Sequence, residues 1–291
     1  MIERLIEMNK QWISQLPINN IKHVKSVNGG DVNEAYEVET EDQKYFLLVQ
    51  PNATKEFFQT EAAGLKDLKR TGIMVPEVYN YGEINQDAYL LISFLEEGTR
   101  GSYHDLAQVI AKMHQAYSNN GLFGYRYPHQ GSDITFDNEW TDSWIELFVE
   151  RRLDKLRDAL VKNNKWSQKQ VNTYEQARKV IVEELAENPS KPALLHGDLW
   201  GGNHIFLTDG RPALFDPAPF YGDREFDIGV TTSFGGYPQE FYEAYQDIFP
   251  MSEGYEKRLS FYRLYVFMVH LLKFGGIYEN RVDQTLREIL A

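Results

Sequence analysis

The sequence predicts an α+β chain in two lobes, a small antiparallel sheet carrying one inserted helix and then a larger helical lobe. Three observations predict it. Five short segments before residue 96 read as strands, separated by turn residues and one helical stretch. Beyond Glu96-Glu97-Gly98 the apolar spacing changes to three and four residues, the period of a helix. A short β-rich patch from Ala193 to Phe215 then interrupts the helical lobe.

Each element has its own signal. Ile2, Leu5, Ile6 and Ile13 stand at roughly helical spacing, so residues 2–15 read as a helix. Ile21 to Val27 reads as a strand, followed by the strong turn signal Asn28-Gly29-Gly30-Asp31. Ala35 to Val38 and Tyr45 to Gln50 are the next two strands, around the polar turn Glu39 to Gln43. Lys55 to Arg70 reads as a helix with an apolar face of Phe57, Phe58, Leu65 and Leu68. Val75 to Tyr81 and Tyr89 to Leu95 complete the strands. In the second lobe Leu106, Val109, Ile110 and Met113 mark a helix, as do Trp144 to Leu160 and Val171 to Leu185, and the C-terminal region returns to helix. The expected lobes are 1–96 and 97–291.

Composition narrows the function classes. Apolar and charged residues are 42% and 25% of the 291, enough for a sizeable core, so disorder is not expected. The net charge of -13 repels phosphate backbones and argues against nucleic acid as a partner. With no cysteine, disulfides, thiolate metal sites and cysteine nucleophiles are excluded. Met1 to Lys10 lacks the apolar core of a signal peptide, and the apolar run Phe261 to Phe274 is broken by Arg263, His270 and Lys273 and is too short to span a bilayer. A cytoplasmic protein without a membrane partner is expected. No internal repeat stands out.

The chemistry concentrates in Leu194-Leu195-His196-Gly197-Asp198-Leu199-Trp200-Gly201-Gly202-Asn203, with Asp216 following the apolar run Pro212 to Phe215. Phosphoryl transfer needs positioning and charge neutralisation more than covalent chemistry. One carboxylate must take the proton of the attacking hydroxyl. An amide oxygen and a second carboxylate must hold Mg²⁺ against the phosphates, because Mg²⁺ takes hard oxygen ligands and shares phosphate oxygens readily. A tight loop can carry the base and one ligand five residues apart, and a hairpin can return the chain with the other. Kinase catalytic loops have this H-x-D-x-x-x-x-N spacing, followed by a metal-binding Asp. A plain turn between strands is the bland alternative, and the ordered series of His, Asp, Asn and Asp after a β-rich lobe argues against it.

LLHGDLWGGN, FDPAPFYGDREFDIG, FGGYPQEFYEAYQDIFP and GYEKRLSFYRLYVFMVHLLKFGG together resemble the fructosamine (ketosamine) kinase family. That family stands with the aminoglycoside and choline phosphotransferases in the protein-kinase-like superfamily. Trp200 is the discriminating letter. The resemblance implies a two-lobed protein-kinase-like fold and an ATP-dependent, Mg²⁺-requiring kinase acting on a ketoamine, either a small molecule or a glycated protein. It implies Asp198 as base, Asn203 and Asp216 on Mg²⁺, and Ser93, Phe94 and Leu95 against adenine at the hinge. Gly29 and Gly30 would let backbone N–H groups approach the phosphates. Glu61 is the helix carboxylate that ordinarily pairs with the ATP lysine, and Trp200 lies along the substrate sugar. His196 and Asp227 brace the loop.

One position departs from the family. Its members carry a lysine on the third strand to grip the ATP phosphates, and that position here is Leu48. Lys44, Gln50 and Lys55 are the residues nearby that could stand in. His270, in an apolar helix, reads as a satisfied core histidine, and Arg224 and Glu225 as either cleft residues or an internal ion pair. Two other functions stay open at this stage. One is a kinase of an aminoglycoside or amino alcohol; the other is a pseudokinase-like nucleotide-binding module, which Leu48 motivates and the retained Asp198, Asn203 and Asp216 oppose.

Overall fold

The protein is described from a computed structural model covering residues 10–27, 33–130 and 134–291. Gly29 and Gly30, with most of the expected first helix, lie outside the described residues. What remains of that helix is one turn, α1 (Lys10–Ile13).

Five strands follow: β1 (His23–Ser26), β2 (Glu34–Glu39), β3 (Lys44–Gln50), β4 (Val78–Ile84) and β5 (Asp87–Ser93). They form one antiparallel sheet in the order β1-β2-β3-β5-β4. Strand alternation sorts their side chains to two faces. Tyr45, Leu47 and Val49 of β3 face outward with Tyr36 and Val38, and Trp12 and Leu16 cover them. The Trp12 indole donates to the Ile84 carbonyl at 3.1 Å, which satisfies its only polar atom. Phe46 and Leu48 face the other way, toward Phe58, Ala62, Leu65 and Leu68 of the inserted helix.

That helix begins as a 3₁₀ turn, Lys55–Phe58, and continues as α2 (Gln59–Arg70). The expected strand at Val75 starts three residues late, at Val78. Pro76 lacks an N–H for a ladder, and the carbonyl of Met74 is taken by the Leu214 N–H of the second lobe. The hinge is built the same way. The Gly98 N–H donates to Phe206 at 2.7 Å, and the Thr208 N–H to Glu96 at 3.3 Å.

Beyond the hinge come α3 (Tyr103–His114), a π-helical segment Glu146–Asp154 running into α4 (Lys155–Lys162), and α5 (Gln168–Glu187). The sequence predicts the 144–160 stretch as ordinary helix. Its widened turns accompany Arg152, a fully buried residue whose guanidinium donates to the Leu147 carbonyl at 2.9 Å and lies 4.2 Å from the Phe220 ring. Four short strands follow, β8 (Ala193–Leu195), β9 (His204–Phe206), β10 (Pro212–Leu214) and β11 (Phe220–Gly222); β6 (His129–Gln130) and β7 (Thr135–Phe136) form a small hairpin earlier in the chain. Helices α6 (Glu225–Phe234), α7 (Gln239–Ile248), α8 (Tyr255–Phe274) and α9 (Glu279–Leu290) close the lobe. A core of Trp144, Phe148, Phe220, Phe226, Phe261 and Tyr262 fills it. The architecture is the α+β arrangement the sequence predicts, an antiparallel sheet with one helix followed by a helical lobe.

Candidate active site

The loop 196–203 joins β8 to β9. The β9–β10 hairpin and β11, which pairs back onto β8, return the chain to it. Two backbone bonds hold the returning segment: the Phe215 N–H donates to Asn203 at 3.2 Å and the Ala218 N–H to His196 at 2.8 Å. Asp216 is trapped between them, in the left-handed region at φ +55°. A non-glycine residue there is strained and marks a conformation the surroundings impose. Gly197 makes the close passage possible: it sits at φ +82°, and a Cβ would stand 1.9 Å from the Ala218 carbonyl oxygen.

The loop rests on one carboxylate. Asp227, fully buried in the first turn of α6, accepts from the His196 N–H at 2.7 Å and the Gly197 N–H at 2.9 Å. His114 from α3 places Nε2 3.1 Å from the oxygen that also accepts from His196, and its Nδ1 lies 2.8 Å from the Tyr245 hydroxyl. Sequence patterning offers no signal for His114, which is 113 residues from Asp227. The buried His196 ring places Nε2 2.9 Å from the Phe215 carbonyl, and its Nδ1 accepts from the Asp198 N–H at 3.3 Å. A carbonyl can only accept, so Nε2 carries the proton. Burial holds His196 below its usual pKa, consistent with a neutral ring. Asp227→Ala should leave these buried donors orphaned and cost on the order of 3 kcal/mol. Denaturant unfolding checks it; an unchanged midpoint would remove the brace.

Asp198 is half-buried. Burial, then the neighbouring Asp216 charge, push its carboxyl up to about 7, while a hydrogen bond from Asn203 and the Lys273 ammonium pull it down. The Asn203 amide nitrogen donates to the Asp198 carbonyl at 2.8 Å and its carboxylate at 3.1 Å, leaving the amide oxygen as the atom that can meet a cation. Asp216 is raised by burial, and Glu61 is raised well above the ordinary range by burial and by Asp216. The α2 carboxylate and the hairpin carboxylate therefore share one site with Asp198. Sequence reasoning noted Lys273 only as an interruption of an apolar run; the fold leaves it exposed in the last turn of α8, near enough for its charge to act weakly on Asp198.

The remaining candidates divide. Trp200 is 42% exposed, its ring lying over Gly202. Both the N–H and the hydroxyl of Ser93 are committed to Glu77, each at 2.9 Å, and the Phe94 N–H reaches the Lys44 carbonyl at 3.5 Å. Among the described residues Leu95 has no such backbone commitment and is the freest of the three to meet a base. His270 is half-buried, with Nδ1 2.9 Å from the Val266 carbonyl. Glu225 pairs with Arg258 at 2.8 Å inside the core, and Arg224 donates to the Phe249 carbonyl, so neither reaches the loop.

Leu48 is buried opposite Ala35 and packed in the cluster that contains Ala62 and Leu65 of α2. No ammonium pairs with Glu61 among the described residues. Lys44, a stand-in candidate, is held at 2.7 Å by Glu37. Leu48→Lys should therefore place a cation beside a carboxylate that lacks one and tighten ATP binding about tenfold, roughly 1.4 kcal/mol after desolvation. Calorimetric titration with a nucleotide reads this directly, and an unchanged or weaker affinity would show that Glu61 does not face position 48.

The residues present fit Mg²⁺. Asn203 and Asp216 offer one amide and one carboxylate oxygen on a clamped hairpin. Mg²⁺ characteristically takes one or two protein oxygens and completes its shell with water and phosphate.

Known proteins resemble this chain over nearly its whole length. The fructosamine kinase family profile matches residues 5–291. A probable ketoamine kinase of Staphylococcus aureus is 52% identical over 283 residues, covering 97% of this chain and 98% of the relative. The structure of a fructosamine-3-kinase candidate from Haemophilus somnus superposes with a TM-score of 0.83 at 27% identity, over 93% of this chain and 92% of that one. An aminoglycoside phosphotransferase, solved with AMP-PNP and hygromycin B, shares the fold at 14% identity, with a TM-score of 0.69 over 97% of this chain and 98% of its own.

Proposed function

The chain belongs to the fructosamine kinase family, and on that premise we propose that it transfers the γ-phosphoryl group of ATP to a sugar hydroxyl of a ketoamine, the 3-hydroxyl of a fructosamine- or ribulosamine-type adduct. The observation that supports this reading best is the clamped arrangement of Asp198, Asn203 and Asp216 on two chain segments joined by backbone hydrogen bonds. Asp198 takes the proton of the attacking hydroxyl. A bound Mg²⁺ supplies charge neutralisation at the phosphates. Asn203 and Asp216 are the residues that would hold it, and Asn203 also orients the base. His196 and Asp227 keep the loop backbone in place, and Trp200 offers an aromatic face to the sugar.

In this reading residues 1–96 carry the nucleotide, with Leu95 toward the base; Gly29 and Gly30, expected against the phosphates, lie outside the described residues. Residues 97–291 carry the catalytic loop, metal and acceptor. The reaction serves removal of sugars from glycated amines or proteins. A cytoplasmic setting suits a chain without cysteine, and no helix among the described residues is long and apolar enough to cross a membrane.

The test is purified protein with Mg·ATP and a panel of fructosamine, ribulosamine, erythrulosamine, aminoglycoside and amino alcohol acceptors. ADP release is expected with the ketoamines, with the new phosphate located on the 3-carbon by NMR. Silence on every ketoamine, or a preference for an aminoglycoside or amino alcohol, would overturn the proposal.

A further inference from the structure

Helix α2 is gripped from two sides. On one, Ala62, Leu65 and Leu68 join Leu48, Leu90 and Ile92 of the sheet in a single apolar cluster, a contact without directional preference. On the other, Thr60, Ala63, Gly64 and Asp67 are spaced by three and four residues, so they share a face, and each of them meets the second lobe. The Thr60 hydroxyl donates to the Pro128 carbonyl at 2.9 Å, and the Arg126 guanidinium donates to the Ala63 carbonyl at 3.4 Å. Gly64 passes so close to Pro219 that a Cβ would stand 2.5 Å from the proline Cγ. Asp67 is only 6% exposed and divides its two oxygens. One accepts from Arg70 of its own helix at 2.8 Å; the other accepts from the Tyr125 hydroxyl at 2.6 Å and pairs with the Arg126 guanidinium at 2.8 Å.

The segment that supplies Tyr125 and Arg126 is itself held. The Tyr125 N–H donates to the Asn138 carbonyl at 2.7 Å, and the buried Asn138 side chain donates to the Tyr127 carbonyl at 3.0 Å and accepts from the buried Arg152. Gly124 exchanges two backbone hydrogen bonds with Tyr221 of β11, at 3.0 and 2.8 Å. Tyr221 stands opposite Leu194 of β8, the strand that leads into the catalytic loop, and β11 follows the segment carrying Asp216 and Pro219. A buried carboxylate of the nucleotide lobe is thus tied, through fixed backbone, to the strands that flank Asp198 and Asp216. Among the described residues no ammonium joins the sheet to α2 at Glu61. Charge-assisted hydrogen bonds impose an orientation that apolar packing does not, so the polar contacts of the Asp67 face fix how α2 sits on the catalytic lobe.

We propose that Asp67, Tyr125 and Arg126 are positioning residues for phosphoryl transfer: they hold α2, and the sheet resting on it, in register with the catalytic loop, so that a γ-phosphate carried by the sheet meets the acceptor hydroxyl at Asp198 in line. The assignment rests on the kinase reading. It makes α2 a fixed spacer between the two lobes.

Three substitutions separate this role from plain stabilisation. Asp67 is left in place, because removing one partner from a buried ion pair endangers the fold. Tyr125→Phe and Arg126→Gln cut ties to the second lobe, whereas Arg70→Gln cuts only the tie within α2. Each protein is measured for single-turnover rate with Mg·ATP and the fructosamine of butylamine, for ADP affinity by calorimetry, and for amide hydrogen exchange. Tyr125→Phe and Arg126→Gln should slow phosphoryl transfer about tenfold or more while ADP affinity stays within about twofold, because a displacement of about 1 Å at the reacting atoms can cost about 100-fold in rate without loosening the nucleotide. Exchange should quicken about tenfold in α2 and in residues 216–222 and stay unchanged in α5. Arg126→Lys, which keeps a cation for Asp67, should recover most of the rate, and Arg70→Gln should leave the rate unchanged. Unchanged rates in Tyr125→Phe and Arg126→Gln would overturn the assignment, as would an equal loss in Arg70→Gln. Weakened ADP binding as the main effect would also overturn it, by assigning the cluster to the nucleotide. If the unaltered protein phosphorylates no ketoamine, the kinase reading fails, and exchange still decides the tie: protection unchanged in α2 and in residues 216–222 would overturn it.

Discussion

Asp198→Asn should retain ATP binding almost unchanged and lose turnover by about 100- to 10,000-fold, the usual effect of removing a general base. The substitution is nearly isosteric, and the loop should hold, because its supports are Asp227 and the returning hairpin rather than Asp198 itself. What is lost is the group that accepts a proton. Burial and Asp216 push the Asp198 carboxyl to about 7, which brings its basicity closer to that of a hydroxyl beginning to lose its proton than an exposed aspartate would be. Single-turnover kinetics beside a nucleotide titration separates the two effects. Turnover within a few-fold of the unaltered protein would assign the base elsewhere; lost ATP affinity would show that the side chain serves the nucleotide.

Asp216→Ala should be the most damaging single change to Mg²⁺-dependent activity, with a loss of about 1,000-fold or more, against about 100-fold for Asn203→Ala. A carboxylate meets a hard cation with full charge, an amide with a dipole only. Asn203 also donates to Asp198, so its loss should lower kcat by loosening the base as well as raise the Mg²⁺ requirement. Asp216 makes no such contact with the base, and its removal should act through the metal requirement. Titrating activity with Mg²⁺ for both variants checks the order. If Asn203→Ala is the worse of the two, the amide's hold on Asp198 outweighs the second ligand. Asp216→Ala keeps a side chain at φ +55°, where alanine is less at ease than aspartate, so the Mg²⁺ titration rather than stability is its readout.

The sequence by itself determined the two-lobed α+β architecture, because strand and helix periods record which face of each element is buried. Leu47 and Val49 against Phe46 and Leu48, or Leu106 and Ile110 in α3, show this directly. It also determined the chemical inventory near the loop, because His196, Asp198, Asn203 and Asp216 lie within 21 consecutive residues and their order is itself the signal. Local rules failed where a distant segment intervened: at Met74, whose carbonyl is taken from the other lobe, and at Arg152, whose burial accompanies a π-helical turn. Only the tertiary structure decided how the inventory is held and charged. It put His114 on Asp227, brought the Lys273 charge within reach of Asp198, set Glu61 near Asp216 with no ammonium paired to it among the described residues, and turned Asp216 into a left-handed conformation. These partners, His114 with Asp227, Lys273 with Asp198 and Glu61 with Asp216, are 113, 75 and 155 residues apart along the chain. Periodicity reports a residue's solvent environment, whereas electrostatic coupling falls off with distance in space, and the spatial neighbours of a buried charge are set by the path of the whole chain.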